Sequence, residues 1–452
     1  MLPLLAPVLL ALSATASASR DCDLETDVLV VGGGSTGTYA SVKLHDLGKT
    51  VLLVEKTGVL GGHVNTYTDP VTGNVTNVGV QSFHNTSTAR AYFDRLGVAL
   101  GPGSYTPRTT IYPDWRLGEL SDWQPPSQQA QGVALQNYLA FLKATAPDLD
   151  LGWDHLGFPV HEDLLLTFGE AAVKYNFTDC VHLINAYNQP GSATNETAAY
   201  AAKVFGIDLT EAVLAGTLLA THDVEDLYRA ATKVLGKSVL FESNLTHVQR
   251  SPEGVRAIVQ TPTGPKTIKA KKILNTAYPL LSNLEGWDLS ANERNLFGKF
   301  NGHSYFAAVL KTKAAGQNIN SDNIGSSDPF GIPTMPGVHA LSATTFPDTH
   351  LLYYGANTII STEEAQANVR ADFQRLADNG VFLDGEVEFL AWYDHTPTRL
   401  FASAEDVRAG FYEDLFALQG VSNTWWSGAA WQAQDSSLIW EFTSRLVDRM
   451  LT

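Results

Sequence analysis

Only two cysteines, Cys22 and Cys180, occur in 452 residues. Two thiols cannot build a tetrahedral zinc site, and their spacing is not that of a C-x-x-C redox pair. They leave open either one disulfide, stapling the start of the chain to its interior, or two separate thiols, since sequence alone does not set their Cα separation. Basic residues are also scarce: 30 Lys and Arg stand against 47 Asp and Glu, a net charge of −17. That balance speaks against a nucleic-acid partner and favours solubility. There is no block of like charges, no Ser-His-Asp arrangement and no metal-ligand spacing. Beyond the N-terminus no apolar run is long enough for a membrane span. The one apolar run lies within residues 1–18 and is too short to cross comfortably. Small residues follow it, and Ala16-Ser17-Ala18 suits signal cleavage with Ser19 as the first mature residue, although no Lys or Arg precedes the run. Sequons at Asn74, Asn85, Asn176, Asn195 and Asn244 agree with a secreted, N-glycosylated chain.

What is present is a globular composition, 44% hydrophobic, on a chain longer than one core usually serves. Residues 27–55 read as an apolar strand, a glycine turn, a helix and a second apolar strand ending on an acid. Gly32, Gly34 and Gly37 fit G-x-G-x-x-G in its proper setting, strand before and helix after. Those glycines allow a tight turn, close backbone approach to a pyrophosphate and close helix–strand packing. The helix start offers free N–H groups and a positive dipole end to an anion. Glu55 is placed to accept from an adenosine ribose. The glycine doublet Gly61-Gly62 follows, then His63, then two short strand-like runs that end in Gly79-Val80-Gln81-Ser82-Phe83.

Helices are predicted over residues 88–96, 130–145, 164–175, 198–205 and 223–234, the last three forming a helical cap. Short strands are predicted at 239–241, 245–250, 255–260, 266–270 and 273–275, with turns between them. Further strands fall at 303–311, 337–341, 351–357 and 387–393, and helices at 363–377 and 404–418. The last segment runs through Trp425-Trp426-Ser427-Gly428-Ala429-Ala430 to Asp435-Ser436-Ser437, which cap a terminal helix.

These stretches together resemble the flavin-containing amine oxidase superfamily, and within it the secreted fungal flavoproteins similar to β-cyclopiazonate dehydrogenase. The residues that carry the resemblance are Gly32 to Gly37 with Glu55-Lys56, Gly61 to Thr66, Gly79 to Phe83, and the C-terminal run from Leu418 to Ser437. The resemblance implies an α/β, two-lobed FAD-binding Rossmann-type fold with a mixed substrate domain and the helical cap. The FAD-binding domain would be discontinuous, residues 19–95, 236–290 and 405–452, with residues 96–235 and 291–404 as the substrate and cap domain. It implies that Gly32, Gly34, Ser35 and Gly37 hold the pyrophosphate, with Glu55 and Lys56 at the ribose. Gly62 and His63 would follow the ribityl chain. Gly79, Val80, Gln81 and Ser82 would pass the flavin ring, and the backbone of Val248 would meet adenine. Ala429, Ala430, Asp435, Ser436 and Ser437 would approach the ribityl and pyrimidine end.

Two departures stand out. His63 replaces the usual Arg, and the usual Lys facing flavin N5 is missing, with His303 and Tyr305 nearby. His303, Tyr393 and Trp426 are the candidate catalytic residues, and no metal is implied. On the strand holding Tyr353 and Tyr354 at most one faces a cavity, and Trp392 and His395 are further candidates. His63 or His84 could attach the flavin covalently. Secretion favours FAD over NAD, because nicotinamide coenzymes are not regenerated outside cells. The expected activity is oxidation of a small organic substrate by hydride transfer to N5, with molecular oxygen as acceptor. The alternatives are a redox-neutral fatty-acid double-bond isomerase and a secreted flavin-binding protein without turnover. Oligomeric state is not legible.

Overall fold

The computed structural model describes residues 23–103, 107–187 and 191–452. The expected signal peptide, residues 1–18, and Cys22 lie outside the described residues. So does the proposed disulfide; Cys180 is fully buried, its Sγ 3.1 Å from the Phe177 carbonyl oxygen.

Two seven-stranded sheets organise the chain. In the first, the strands run Val239–Leu240, Val51–Val54, Leu24–Val31, Gly264–Asn275, Gly254–Thr261, Asn244–Ser251, and Thr424–Trp426 also pairs with Gly264–Asn275. The part around Leu24–Val31 is parallel. Its strands are apolar on both faces, as a sheet covered on both sides requires: Leu29, Val30, Leu53, Ile273 and Leu274 have no exposed surface. Helices Ser35–Asp46 and Ser436–Leu451 pack against each other. Lys43 Nζ crosses between them to Asp448 Oδ1 at 2.7 Å and Ser444 Oγ at 2.7 Å.

The second sheet orders Glu388–Asp394, Asn301–Lys311, Thr349–Ala356, Gly337–Ala343, Ile319–Asp322 and Thr109–Ile111, with Thr398–Phe401 also paired to Asn301–Lys311. One face packs on Thr362–Asp378 through Phe306, Leu352, Tyr354, Val369 and Phe373. The other carries Ala307, Val309 and Tyr353 against Val78 of the hairpin Asn65–Thr68/Val75–Val78. That hairpin brings the segment after the glycine doublet onto the second sheet.

Three predicted elements differ. Residues 266–270 and 273–275 form one strand, Gly264–Asn275, because its first half pairs with Gly254–Thr261 and its second half with Leu24–Val31. Residues 404–418 are two helices, Ala404–Arg408 and Phe411–Phe416, since Gly410 sits at φ 95°, outside the helical region. No helix among the described residues is long and apolar enough to cross a membrane.

Candidate active site

The glycine turn is built as its sequence demands. A Cβ on Gly37 would stand 1.9 Å from the Gly32 carbonyl oxygen, and one on Gly62 would stand 2.9 Å from Gly34 Cα. Two glycine turns therefore touch backbone to backbone, joined by a bridge between Gly34 and Gly61. The Gly33 N–H donates to Glu55 Oε2 at 2.7 Å, and Thr57 N–H and Oγ1 donate to Oε1 at 2.8 and 2.7 Å. Glu55 thus braces the turn from below and keeps about one of its four acceptor sites. Lys56 is exposed beside it.

The first helix has Gly34 as N-cap, with no side chain capping it. Its first-turn N–H groups remain for an anion. The last helix begins at the same spot. Ser35 Oγ and Ser436 Oγ are 3.0 Å apart, although 401 residues separate them in sequence. Asp435 is the N-cap of that helix, accepting from the Leu438 N–H at 2.9 Å. Ser437 Oγ accepts from the His84 N–H at 3.0 Å. Gly428, at φ 104°, lets Ser427 to Ala430 turn past Thr276, whose carbonyl oxygen would lie 2.9 Å from a Cβ at that glycine. The turns holding Gly32 to Gly37, Gly61 to His63, Ala429 to Ala430 and Asp435 to Ser437 thus close on one region. The residues fit a dinucleotide: a cradle that side chains would fill, and two helix N-termini aimed at it.

His84 is buried with its Nε2 3.3 Å from Asp435 Oδ2. Burial pulls its pKa down, but the Asp435 carboxylate outweighs this, with Asp208 and Asp150 adding, and the net shift is up to about 9. Burial likewise raises Asp435, yet His84 holds it below the usual carboxylate range. A raised histidine pKa stabilises the fold below its unfolded value of about 6.5, and that stabilisation is lost as pH rises through about 9. We expect the stability difference between wild type and His84→Gln to be about 3 kcal/mol below pH 6.5 and to vanish above pH 9, from the roughly 2.5-unit shift. Urea unfolding at several pH values measures it, and a difference independent of pH would refute the pairing.

Beyond His63 the walls change. His63 and His395 stack with ring centroids 4.6 Å apart and planes at 18°. His395 Nε2 lies 2.8 Å from Asn65 Oδ1, and Tyr305 is 5.7 Å from the same ring. Tyr305 and Tyr353 lie parallel, 6.4 Å apart at 7°. Gln81 Nε2 donates to the Tyr353 hydroxyl at 2.8 Å. Gln81 and Ser82 are exposed and His63, Tyr278 and Tyr305 are half-buried, whereas His395 and Tyr353 are buried. The space these side chains border is the candidate chamber. Burial, then Lys56, holds His63 down at about 4; burial, then His63, holds His395 well below the usual histidine value. Both are neutral imidazoles near pH 7.

The sequence-predicted catalytic residues separate. Trp426 is core, not a cavity wall: it has no exposed surface, and Trp287, Phe297 and Trp431 surround it at 5.7, 4.9 and 6.2 Å. Its strand pairs only with Gly264–Asn275, and the ring turns to the side that those three aromatics cover. His303 is buried against Phe401 at 4.9 Å, with Nε2 3.4 Å from Glu196 Oε1, and Arg399 binds the other oxygen of Glu196. Burial, then Arg399, lowers its pKa to about 3. It lies beside the segment after residue 190, one strand repeat from Tyr305. Tyr393 is half-buried, its hydroxyl 3.4 Å from the Thr66 carbonyl oxygen. Tyr353 faces the chamber, while Tyr354 points to the opposite face and Asn368.

Val248 is misplaced by the sequence reading. It stands across from Ala257, Ala257 from Ile268, and Ile268 from Leu24, at the far end of the opening strand from the glycine turn. Its N–H donates to Gly286 O and its carbonyl accepts from Asp288 N–H, so its backbone is engaged. The segment that does reach Glu55 is Leu240 to Ser243: the Glu55 N–H donates to Leu240 O, and the Ser243 N–H to Glu55 O, both at 2.9 Å.

The sequence reading also missed a buried charge cluster behind His84. Lys203 is 4% exposed, donates to Leu149 O at 3.1 Å and to Gln432 Oε1, and lies over the Trp153 ring. Burial lowers its pKa to about 7, with Asp150 opposing the shift. The available signal was one lysine inside the otherwise uncharged helix Ala198–Val204.

Known proteins agree with this geometry. A model of NAD(P)-binding Rossmann-like domains matches residues 30–96. The β-cyclopiazonate dehydrogenase of Aspergillus flavus is 33% identical over 429 residues, 94% of this chain and 93% of its own length. The FAD-dependent oxidoreductase oblC of Cochliobolus heterostrophus is 35% identical over 436 residues, 93% of this chain and 90% of its own. Among solved structures, a CLA-producing fatty acid isomerase from P. acnes aligns with a TM-score of 0.76 at 19% identity, over 94% of this chain and 99% of that one. Putrescine oxidase bound to putrescine aligns at 0.64 with 16% identity, over 94% of this chain and 98% of that one. These two establish the fold alone. Identity sustained along nearly the whole chain establishes more: this protein belongs to the β-cyclopiazonate dehydrogenase-like family of FAD-dependent oxidoreductases.

Proposed function

We propose that the chain is a secreted oxidase of a small organic molecule, which reacts in the chamber of His63, His395, Tyr305 and Tyr353. FAD, when bound, supplies a two-electron acceptor for substrate hydride at N5 and hands the electrons on to molecular oxygen as hydrogen peroxide. The chain's residues position, exclude water and manage charge. The observation that carries the reading is the meeting of two helix N-termini at Ser35 and Ser436 beside that chamber. The first, which no side chain caps, would stabilise negative charge on the cofactor; the second already carries the Asp435 carboxylate. His395, stacked on His63, is better placed than His303, which lies buried against Phe401 and Glu196, to meet a substrate proton. Substrate should bleach the yellow colour without oxygen, and air should restore it with release of peroxide. Turnover that consumes no oxygen would instead support the double-bond isomerase reading, which the higher structural likeness to the fatty acid isomerase keeps in view.

Of the two histidines open to covalent flavin attachment, only His63 keeps a free lone pair near pH 7, as His84 is protonated and paired with Asp435. We expect any flavin that stays with acid-precipitated protein to be released by His63→Ala and retained by His84→Ala. Retention in the first and release in the second would reverse the assignment.

A further inference from the structure

The chamber's polar groups have a bias that bears on what it admits. It carries no net charge near neutral pH: His63 and His395 are held neutral, and burial raises the pKa values of Tyr278, Tyr305 and Tyr353. The nearest charged side chains are engaged elsewhere. Arg399 is paired with Glu196, and Glu225 accepts from the Thr66 N–H and pairs with Arg229. Asp394 accepts from the Thr396 N–H, and Lys56 lies exposed outside. An ammonium or carboxylate entering would shed water without meeting an opposite charge.

Two spare hydrogen-bonding sites, on His395 and Gln81, are acceptors. His395 presents Nε2 to Asn65 Oδ1, which only accepts, so Nε2 carries the proton and Nδ1 the lone pair. Gln81 uses its amide N–H on the Tyr353 hydroxyl, which also accepts from the Gly79 N–H and keeps its own proton to donate. Gln81 Oε1 is left without a partner among the described residues. The parallel rings of Tyr305 and Tyr353 make a flat shelf beside these acceptors.

We infer that the chamber takes an uncharged, planar substrate that presents an O–H or N–H donor to His395 Nδ1 and Gln81 Oε1. This rests on the chamber being the substrate site of a flavoenzyme. In oxidation, the donor's proton would pass to His395 Nδ1 as the adjacent C–H leaves as hydride to the flavin, so that a C=O or C=N bond forms. The substrate thus loses two electrons and two hydrogens in all.

The test uses FAD-loaded protein near neutral pH and four probes sharing one ring: benzyl alcohol, benzyl methyl ether, benzylamine (an ammonium ion there) and benzoate. Changes in the flavin absorption spectrum report binding. Benzyl alcohol should bind about tenfold more tightly than benzylammonium or benzoate, and several-fold more tightly than the ether. In His395→Leu the preference for alcohol over ether should shrink to about twofold or less. Equal or tighter binding of either ion would overturn the inference. So would equal binding of ether and alcohol, or no spectral change with benzyl alcohol up to its solubility limit. Should His395→Leu fail to hold flavin, the wild-type series still decides. Protein that never holds FAD would defeat the flavoenzyme reading itself, which is a different result from a wrong order of probes.

Discussion

Gly37→Ala is expected to give protein that is colourless and less stable by about 3 kcal/mol or more, the upper end for overpacking. The added Cβ would meet Gly32 O at 1.9 Å and Thr276 Oγ1 at 2.7 Å. Neither neighbour is free to yield. The Gly32 N–H is bonded to Val54 O at 2.9 Å, and Thr276 Oγ1 donates to the carbonyls of Val31 and Gly32 at 2.8 and 3.0 Å. The helix must therefore tilt away from the strand, which opens the turn where the pyrophosphate would sit. Gly58→Ala is the control. Nothing lies within 4 Å of its Cβ, and we expect a change within about 0.5 kcal/mol. Urea midpoints and flavin absorbance of the purified proteins compare them. A yellow, equally stable Gly37→Ala protein would show that the turn is not packed as described.

Trp440→Ala should cost about 3–5 kcal/mol, the range for emptying a buried aromatic site. Its ring has no exposed surface. It stacks on Phe83 at 5.7 Å and Tyr39 at 6.0 Å, and meets Tyr92 and Phe93 edge-on at 4.9 and 6.1 Å. Its Nε1–H donates to Ser35 Oγ at 3.0 Å. One side chain thus joins the first helix, the segment after Gly79 and the last helix. Trp440→Phe keeps one aromatic ring but loses the N–H bond and part of the indole, so about 2 kcal/mol is expected. Thermal unfolding gives the two stabilities. FAD dissociation should speed up in both, more in the alanine variant. Equal losses from Phe and Ala would mean that the Ser35 bond, and not the ring, carries the effect.

Why one part of the site was legible and another was not follows from how each is specified. The turn at Gly32 to Gly37 and the cap at Asp435 are local, since their residues lie within one turn of the backbone they shape. Distant partners decide the others. Val248 lies on a meander whose register against Leu24–Val31 depends on two successive pairings, neither written in its own neighbourhood. Trp426 could have faced either side of its strand until Trp287, Phe297 and Trp431 closed over it. His63 was visible as a loop residue after a glycine doublet. Its stacking on His395 arises only because the hairpin Asn65–Thr68/Val75–Val78 lays that loop on the second sheet. Gly410 did carry a local warning, and reading a helix through it ignored the weak helix propensity of glycine.

The bond between Ser35 and Ser436 also has a meaning in time. The chain leaves the ribosome from its N-terminus, and 401 residues separate these two serines. At about 5–20 residues per second, the glycine turn waits roughly 20–80 s before its partner helix exists. Throughout that interval the nascent chain has half a cradle. Cofactor loading therefore waits for the second helix, and products truncated before it carry only half of the cradle.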